Sequence, residues 1–351
     1  MSEKRIEMDN ELLQYSGRID FTNKKEPIMI YPCSSVTLKF TGTTLKIILR
    51  NKNIYWDNYL GYIIDGKQEK VLLTNEQDKI ITLADNLKEE EHLAIIFKRM
   101  DSCHAISLLG ICINENGRLL QCDDKPNRKI EFYGDSVSAG EVSEAVEYVG
   151  KPDPSHKGEY SNSWYSYAWL TARKLNAQIH NVSQGGIALL NGTGWFYENN
   201  YTGIESTYDK MSYHPELGEI TNWNFAEYVP HVIIIAIGQN DSHPVDYMKE
   251  EYNGEQGHYW RESYENFVRN IRVKNPNSVI ILTTTILQHH VNWDNSIEEV
   301  CNKLKDRKIM HFLYSENGCK TPGHIRISEA EQMSDELVGF INSINKELLL
   351  W

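Results

Sequence analysis

Two domains of unlike class are predicted, an all-β jelly-roll sandwich followed by a three-layer α/β/α domain with a parallel sheet, and three observations predict them. Apolar side chains recur at every second position early in the 351-residue chain; later, short apolar runs alternate with stripes of helical spacing. Between the two rhythms lies the polar, proline-containing stretch Gln121-Cys122-Asp123-Asp124-Lys125-Pro126-Asn127-Arg128, the usual composition of a domain junction. The expected domains are therefore residues 1–125 and 126–351.

In the first domain Val36, Leu38 and Phe40 alternate with Thr37 and Lys39, and Leu45, Ile47 and Leu49 repeat the pattern, so each segment turns one side to a core. Gly42 breaks this pair of strands. Asp65-Gly66 separates Tyr62-Ile63-Ile64 from Val71-Leu72-Leu73 as a hairpin turn, and Leu93, Ile95 and Phe97 begin another alternating run. Many short strands with turn signals and no long amphipathic helix describe a sandwich.

In the second domain the apolar runs are Ile130 to Tyr133, Ile179 to Val182, Val232 to Ile237, Val279 to Leu282 and Ile309 to Leu313. Helical stripes lie between and after them: Trp260, Tyr264, Phe267, Val268 and Ile271 form one, and Ala330, Met333, Leu337, Phe340, Ile341 and Ile344 another. Strands buried on both faces and alternating with helices make a parallel sheet, whose ligands bind beyond the carboxyl ends of the strands.

Composition narrows the function. Lys plus Arg number 36 against 49 Asp plus Glu, a net charge of -13 with no basic stripe, which argues against a nucleic-acid partner. No apolar run approaches the ~20 residues that a membrane-spanning helix needs, and no membrane partner is expected. Six dispersed cysteines, with no C-x-x-C and no Cys/His cluster, are expected to be reduced thiols, without a structural metal. Charged residues interrupt any apolar core in MSEKRIEMDNELLQYSGRIDF, so the expected location is the cytoplasm.

The polar residues after the apolar runs carry the chemistry. Gly134-Asp135-Ser136 follows the first; a serine at a strand-to-helix turn exposes its hydroxyl and meets the field of a helix amino terminus, although Asp and Ser are also the preferred capping residues. Ser183-Gln184-Gly185-Gly186 follows the second, where paired glycines let a backbone N–H approach a ligand or simply form a loop. Gly238-Gln239-Asn240-Asp241 follows the third, and Gly323-His324 precedes the last helical stripe. A hydroxyl, a base, and two or three N–H donors for a developing oxyanion are what acyl transfer requires.

In this order the blocks resemble the SGNH hydrolase superfamily, also called GDSL: Gly134-Asp135-Ser136, Gly186, Gly238-x-Asn240-Asp241 and His324 match its four blocks, over essentially everything after Arg128. The first domain, with Tyr15-Ser16-Gly17-Arg18, Tyr31-Pro32-Cys33-Ser34-Ser35-Val36, and His92 followed by Phe97-Lys98-Arg99, resembles carbohydrate esterase family 2, which joins a jelly roll to a deacetylase domain of this superfamily. Cys33 stands where that family is expected to have glycine.

The resemblance implies a carbohydrate O-acetyl esterase acting on hemicellulose-derived xylan, mannan or gluco-oligosaccharides, with no metal or cofactor. Ser136 would be the nucleophile and His324 its base. The N–H groups of Ser136 and Gly186 and the side chain of Asn240 would form the oxyanion hole. Most of the superfamily carries an aspartate three residues before the histidine, where this chain has Thr321. The implied site is thus a Ser136–His324 dyad with the imidazole held by a backbone carbonyl, and Glu316 is the nearest upstream acid able to substitute. Trp293 and Trp195 are the expected sugar-contacting aromatics at the mouth of the site. The rival readings are an esterase or thioesterase of other small acyl groups, and a carbohydrate-binding relative without activity.

Overall fold

A computed structural model describes residues 2–75, 78–197 and 200–351. The first domain is two antiparallel sheets packed face to face. One has the order Ile19–Asp20, Ile28–Met29, His104–Asn114, Leu45–Asn53, Lys79–Ala84, with Glu3–Ile6 also on His104–Asn114. The other has the order Leu119–Leu120, Ser35–Thr41, Glu91–Lys98, Asn58–Ile64, Lys67–Leu73, with Gln14–Ser16 also on Ser35–Thr41. Val36, Leu38, Phe40, Leu45, Ile47 and Leu49 all point into the core between the sheets, as their alternation predicts. Asp65 and Gly66 form the two-residue hairpin turn with φ of 50° and 81°, the paired positive values of a type I′ turn.

The second domain holds a five-stranded parallel sheet: β1 (Arg128–Gly134), β2 (Ala177–Ser183), β3 (Val232–Ala236), β4 (Val279–Thr283) and β5 (Ile309–His311). Their order is β2-β1-β3-β4-β5. Each strand coincides with one predicted apolar run. The helices are α1 (Ser136–Ala139), α2 (Tyr167–Lys174), α3 (Tyr247–Glu250), α4 (Glu255–Lys274), α5 (Asn292–Leu304) and α6 (Ile327–Leu348). The α4 stripe packs on one face of the sheet and the α6 stripe on the other, giving three layers. Strand order reverses between β1 and its neighbours β2 and β3, and this switch point opens a crevice at the carboxyl ends of the strands.

Several of the residues that marked the first domain, Arg18, Cys33, Phe97 and Arg99 among them, lie where it meets the second. Arg18 is fully buried; its Nη2 lies 3.0 Å from Glu131 Oε1 in β1, and its Nη1 donates to the carbonyl of Tyr208 at 2.8 Å. The guanidinium also sits 4.9 Å from the Trp223 ring. Phe97 packs edge-on against Trp169 of α2, and Arg99 reaches Glu144 at 2.6 Å. Cys33 has φ of 66°, the left-handed conformation that explains why glycine is expected there. Its buried thiol, pushed up to about 12 by desolvation, is inert.

Candidate active site

Ser136 directly follows the Asp135 N-cap, whose Oδ1 accepts the N–H of Val137 at 3.0 Å. The predicted helix is a single turn, ended by Gly140 at φ 83°, so the expected field of a long helix is absent and local N–H groups must act instead. Among the described residues, the backbone N–H groups of Ser136 and Gly186 donate to no protein acceptor. Gly186 has φ of 69°, and a Cβ there would lie 2.8 Å from the Cβ of Trp195, so both conformation and space require glycine.

One cavity of about 740 Å³ is lined by Ser136, Gly186, Asn240, His324 and Trp195 together, so the structure brings five of the six predicted residues to one place. Asn240 sits just past β3. Its Nδ2 donates to Asp135 Oδ2 at 3.2 Å and to the carbonyl of Ile187 at 3.0 Å, which turns its amide toward the loops after β1 and β2. Asp135 Oδ2 also accepts Gln239 Nε2 at 2.7 Å. Burial pushes the Asp135 carboxyl up to about 6, despite the N–H of Val137 and the Gln239 amide that bond it.

Trp293 is the exception. It lies in α5 with no exposed surface, 5.4 Å from the Trp260 ring and 5.2 Å from Tyr247, and its Nε1 donates to Asp246 at 3.1 Å. Its position after the fourth strand suggested the mouth; a helical turn carries the indole into the layer between α4 and α5. The mouth has Trp195 instead, 61% exposed and stacked on His243 at 3.4 Å. Trp56, from the first domain, also lines it.

The support of His324 also differs from expectation. Its Nδ1 meets Asp153 Oδ2 at 2.5 Å, so a carboxylate, and neither a backbone carbonyl nor Glu316, faces this nitrogen. Asp153 Oδ1 accepts the His324 N–H at 2.9 Å and Arg326 Nη2 at 2.8 Å. Burial raises the Asp153 carboxyl, but the bond to His324 and the Arg326 charge outweigh it and hold the group well below the usual carboxylate range. Glu316 instead pairs with Lys320 and accepts from Gln332.

Thr321, at the superfamily's usual acid position, is buried, and its hydroxyl has no partner among the described residues. Asp153 escaped the sequence reading because it follows no strand and stands far from His324 in the chain. Its signals were the rigid setting Lys151-Pro152-Asp153-Pro154 and the glycine before His324, where a Cβ would lie 2.7 Å from Asp153 Oδ1.

The fold and the four blocks define the class: an SGNH-type hydrolase domain joined to a jelly roll. Residues 15–122 match the family model described as Carbohydrate esterase 2 N-terminal. The chain is 26% identical over 348 residues to the "Cellulase/esterase CelE" of Acetivibrio thermocellus, covering 95% of itself and 40% of that protein. It is 26% identical over 271 residues to the "Acetylxylan esterase / glucomannan deacetylase" of Cellvibrio japonicus, covering 77% of itself and 70% of that protein. Its fold matches a family two carbohydrate esterase from Clostridium thermocellum, solved in complex with cellohexaose, at a TM-score of 0.79 and 24% identity, over 97% of this chain and 100% of that one. The first domain thus carries the carbohydrate esterase 2 N-terminal module, and the whole chain is similar to family two carbohydrate esterases.

Proposed function

We propose that the protein is a serine esterase that removes acetyl groups from xylo-, manno- or gluco-configured carbohydrate. The observation that carries this reading is the shared cavity, in which Ser136, Gly186, Asn240 and His324 lie within aromatic walls supplied by both domains. Its volume of about 740 Å³ has room for an acetyl group and the sugar bearing it. Its walls include Tyr55, Trp56, Trp195, Phe196 and Tyr197, with Leu287 and Pro322 as the aliphatic members, a lining suited to sugar faces rather than long acyl chains. One relative is named an acetylxylan esterase / glucomannan deacetylase, which favours the same substrate class here.

In the proposed cycle His324 Nε2 takes the proton of the Ser136 hydroxyl as Oγ attacks the acetyl carbonyl. Asp153 remains ionised, keeps the other imidazole proton on Nδ1 and stabilises the imidazolium, so the working unit is a Ser136–His324–Asp153 triad. The N–H groups of Ser136 and Gly186 hold the tetrahedral oxyanion. Asn240 adds a third donor by turning one N–H from the Ile187 carbonyl to the oxyanion. The sugar alcohol departs with the proton from Nε2. Water, deprotonated by His324, then attacks the acetyl-enzyme, releases acetate and restores Ser136.

Acetate release from acetylated xylo- and manno-oligosaccharides, followed by NMR for the wild type and Ser136→Ala, tests this. The expected outcome is loss of turnover with nearly unchanged thermal stability. Activity retained within about tenfold would remove Ser136 from the nucleophile's role, and binding without turnover in the wild type would favour the carbohydrate-binding alternative.

A further inference from the structure

Glu141 follows the Gly140 turn and lines the cavity beside Ser136 and His324, yet its side chain is only 6% exposed. It has no part in the cycle above. Its Oε1 side faces the first domain and lies beside the Asp101 carboxylate, where one proton can bridge the two groups. The gap beside Gly185 is filled by the same pair, since a Cβ there would lie 2.0 Å from Glu141 Oε1 and 2.6 Å from Asp101 Oδ2. Oε2 looks the other way, 3.4 Å from Nε2 of His324.

The proton of this pair can be assigned. Asp101 Oδ2 already accepts the hydroxyl of Tyr55 at 2.7 Å, the amide of Gln184 at 2.7 Å and the N–H of Gly185 at 2.9 Å, so Asp101 is the anion. Burial, and then the Asp101 charge, push the Glu141 carboxyl well above the usual carboxylate range, so the proton stays on Glu141. A carboxylic acid that donates through one oxygen offers the other as a carbonyl-like acceptor. That acceptor is Oε2, on the cavity wall.

His324 Nε2 returns a proton to the departing sugar oxygen, so that oxygen must come within hydrogen-bond distance of Nε2. A hydroxyl on the neighbouring ring carbon is then carried alongside, toward the group flanking Nε2. We propose that Glu141 is a specificity-determining residue whose Oε2 accepts a hydrogen bond from a free sugar hydroxyl next to the acetyl ester. This rests on the esterase reading above and names its substrate class: acetyl esters with an unacetylated neighbour, preferred over fully acetylated rings.

The test compares kcat/KM on a methyl glycoside bearing one acetyl group beside a free hydroxyl with its deoxy and fluoro analogues at that carbon. The wild type should prefer the hydroxyl compound by about tenfold over both, because neither analogue can donate. Glu141→Gln should keep the preference, since its amide N–H can donate to Asp101 and its carbonyl can take the place of Oε2. In Glu141→Met the ratio should fall to about one. Equal wild-type rates on the hydroxyl and deoxy compounds, or a preference that survives Glu141→Met, would overturn the assignment.

Should Glu141→Met not fold, a crystal structure of Ser136→Ala with the hydroxyl compound decides. Oε2 farther than about 3.2 Å from every sugar hydroxyl would overturn the proposal. A wild type inactive on all three glycosides and on nitrophenyl acetate is a different failure, that of the esterase reading itself.

Discussion

The first domain meets the second in two places built on opposite principles. At Arg18, a buried cation faces the Glu131 carboxylate and backbone carbonyls, with aromatic rings around it, so the charge is met by groups that complement it. At Asp101, a buried carboxylate shares a proton with a second carboxyl, Glu141, while the Lys98 ammonium, pushed down to about 7 by burial, donates to the carbonyls of Met100 and Asp101. The neighbouring His104 is driven down to about 3 by desolvation, despite the Asp101 charge, and both its nitrogens lack partners among the described residues. Complementary burial holds the domains together. Burial of a second carboxyl beside Asp101, tolerated because Glu141 keeps its proton, sets perturbed polar groups next to the cavity, a common arrangement at functional sites. The jelly roll is thus both a structural support and, through Tyr55 and Trp56, a wall of the site.

The largest expected effect breaks the site and spares the interface. In Asp153→Asn the amide would present an N–H to Nδ1 and favour the wrong imidazole tautomer, so kcat should fall by about 10³ to 10⁴. Steady-state kinetics check this, with Glu316→Gln as the control. If Glu316→Gln is the more damaging change, the triad assignment is wrong.

Arg18→Ala reverses the emphasis. It strands Glu131 in the core, and the loss should be about 3–5 kcal/mol, read from urea unfolding. The kcat of the fraction that remains folded should stay at the wild-type value, and a stability loss below about 1 kcal/mol would show that the Arg18–Glu131 pair does not hold the domains together.

Trp56→Ala probes the wall of the cavity. Its ring is 39% exposed and rests edge-on against His156 at 4.6 Å, so little stability depends on it. KM for acetylated oligosaccharides should rise by about tenfold, as for one lost stacking face, with a much smaller change for nitrophenyl acetate. Equal changes on both esters would make Trp56 a structural residue.

The smallest effect concerns a buried carboxyl away from the interface. Asp241 accepts the N–H groups of Leu189 and Leu190 at 2.8 and 3.1 Å, yet burial pushes it up to about 7. A carboxyl raised on folding contributes stability that is present below its unfolded value, near 4, and lost as pH rises through the folded value. The melting temperature of Asp241→Asn, minus that of the wild type, should therefore increase between about pH 4 and 7 and level off above. A difference independent of pH would show that Asp241 does not titrate in this range.

The sequence by itself determined what depends on short-range periodicity. Val36, Leu38 and Phe40 had to share a sheet face, the five apolar runs had to be buried strands, and the Trp260 stripe had to cover one of their faces. The residues just after three of those runs, Ser136, Gly186 and Asn240, met at one cavity because parallel strands all deliver their carboxyl ends to the same edge. Tertiary structure decided whatever depended on direction or on partners distant in the chain. The phase of α5 sent Trp293 inward, whereas its place after a strand had suggested the mouth. Asp153 reached His324 through a loop with no periodic signal, and Asp101 reached Glu141 only when two separately written domains packed together. Hydrophobic patterning records which face of an element is buried. It does not record which charged groups burial will bring within hydrogen-bond distance, and here those contacts shape the site.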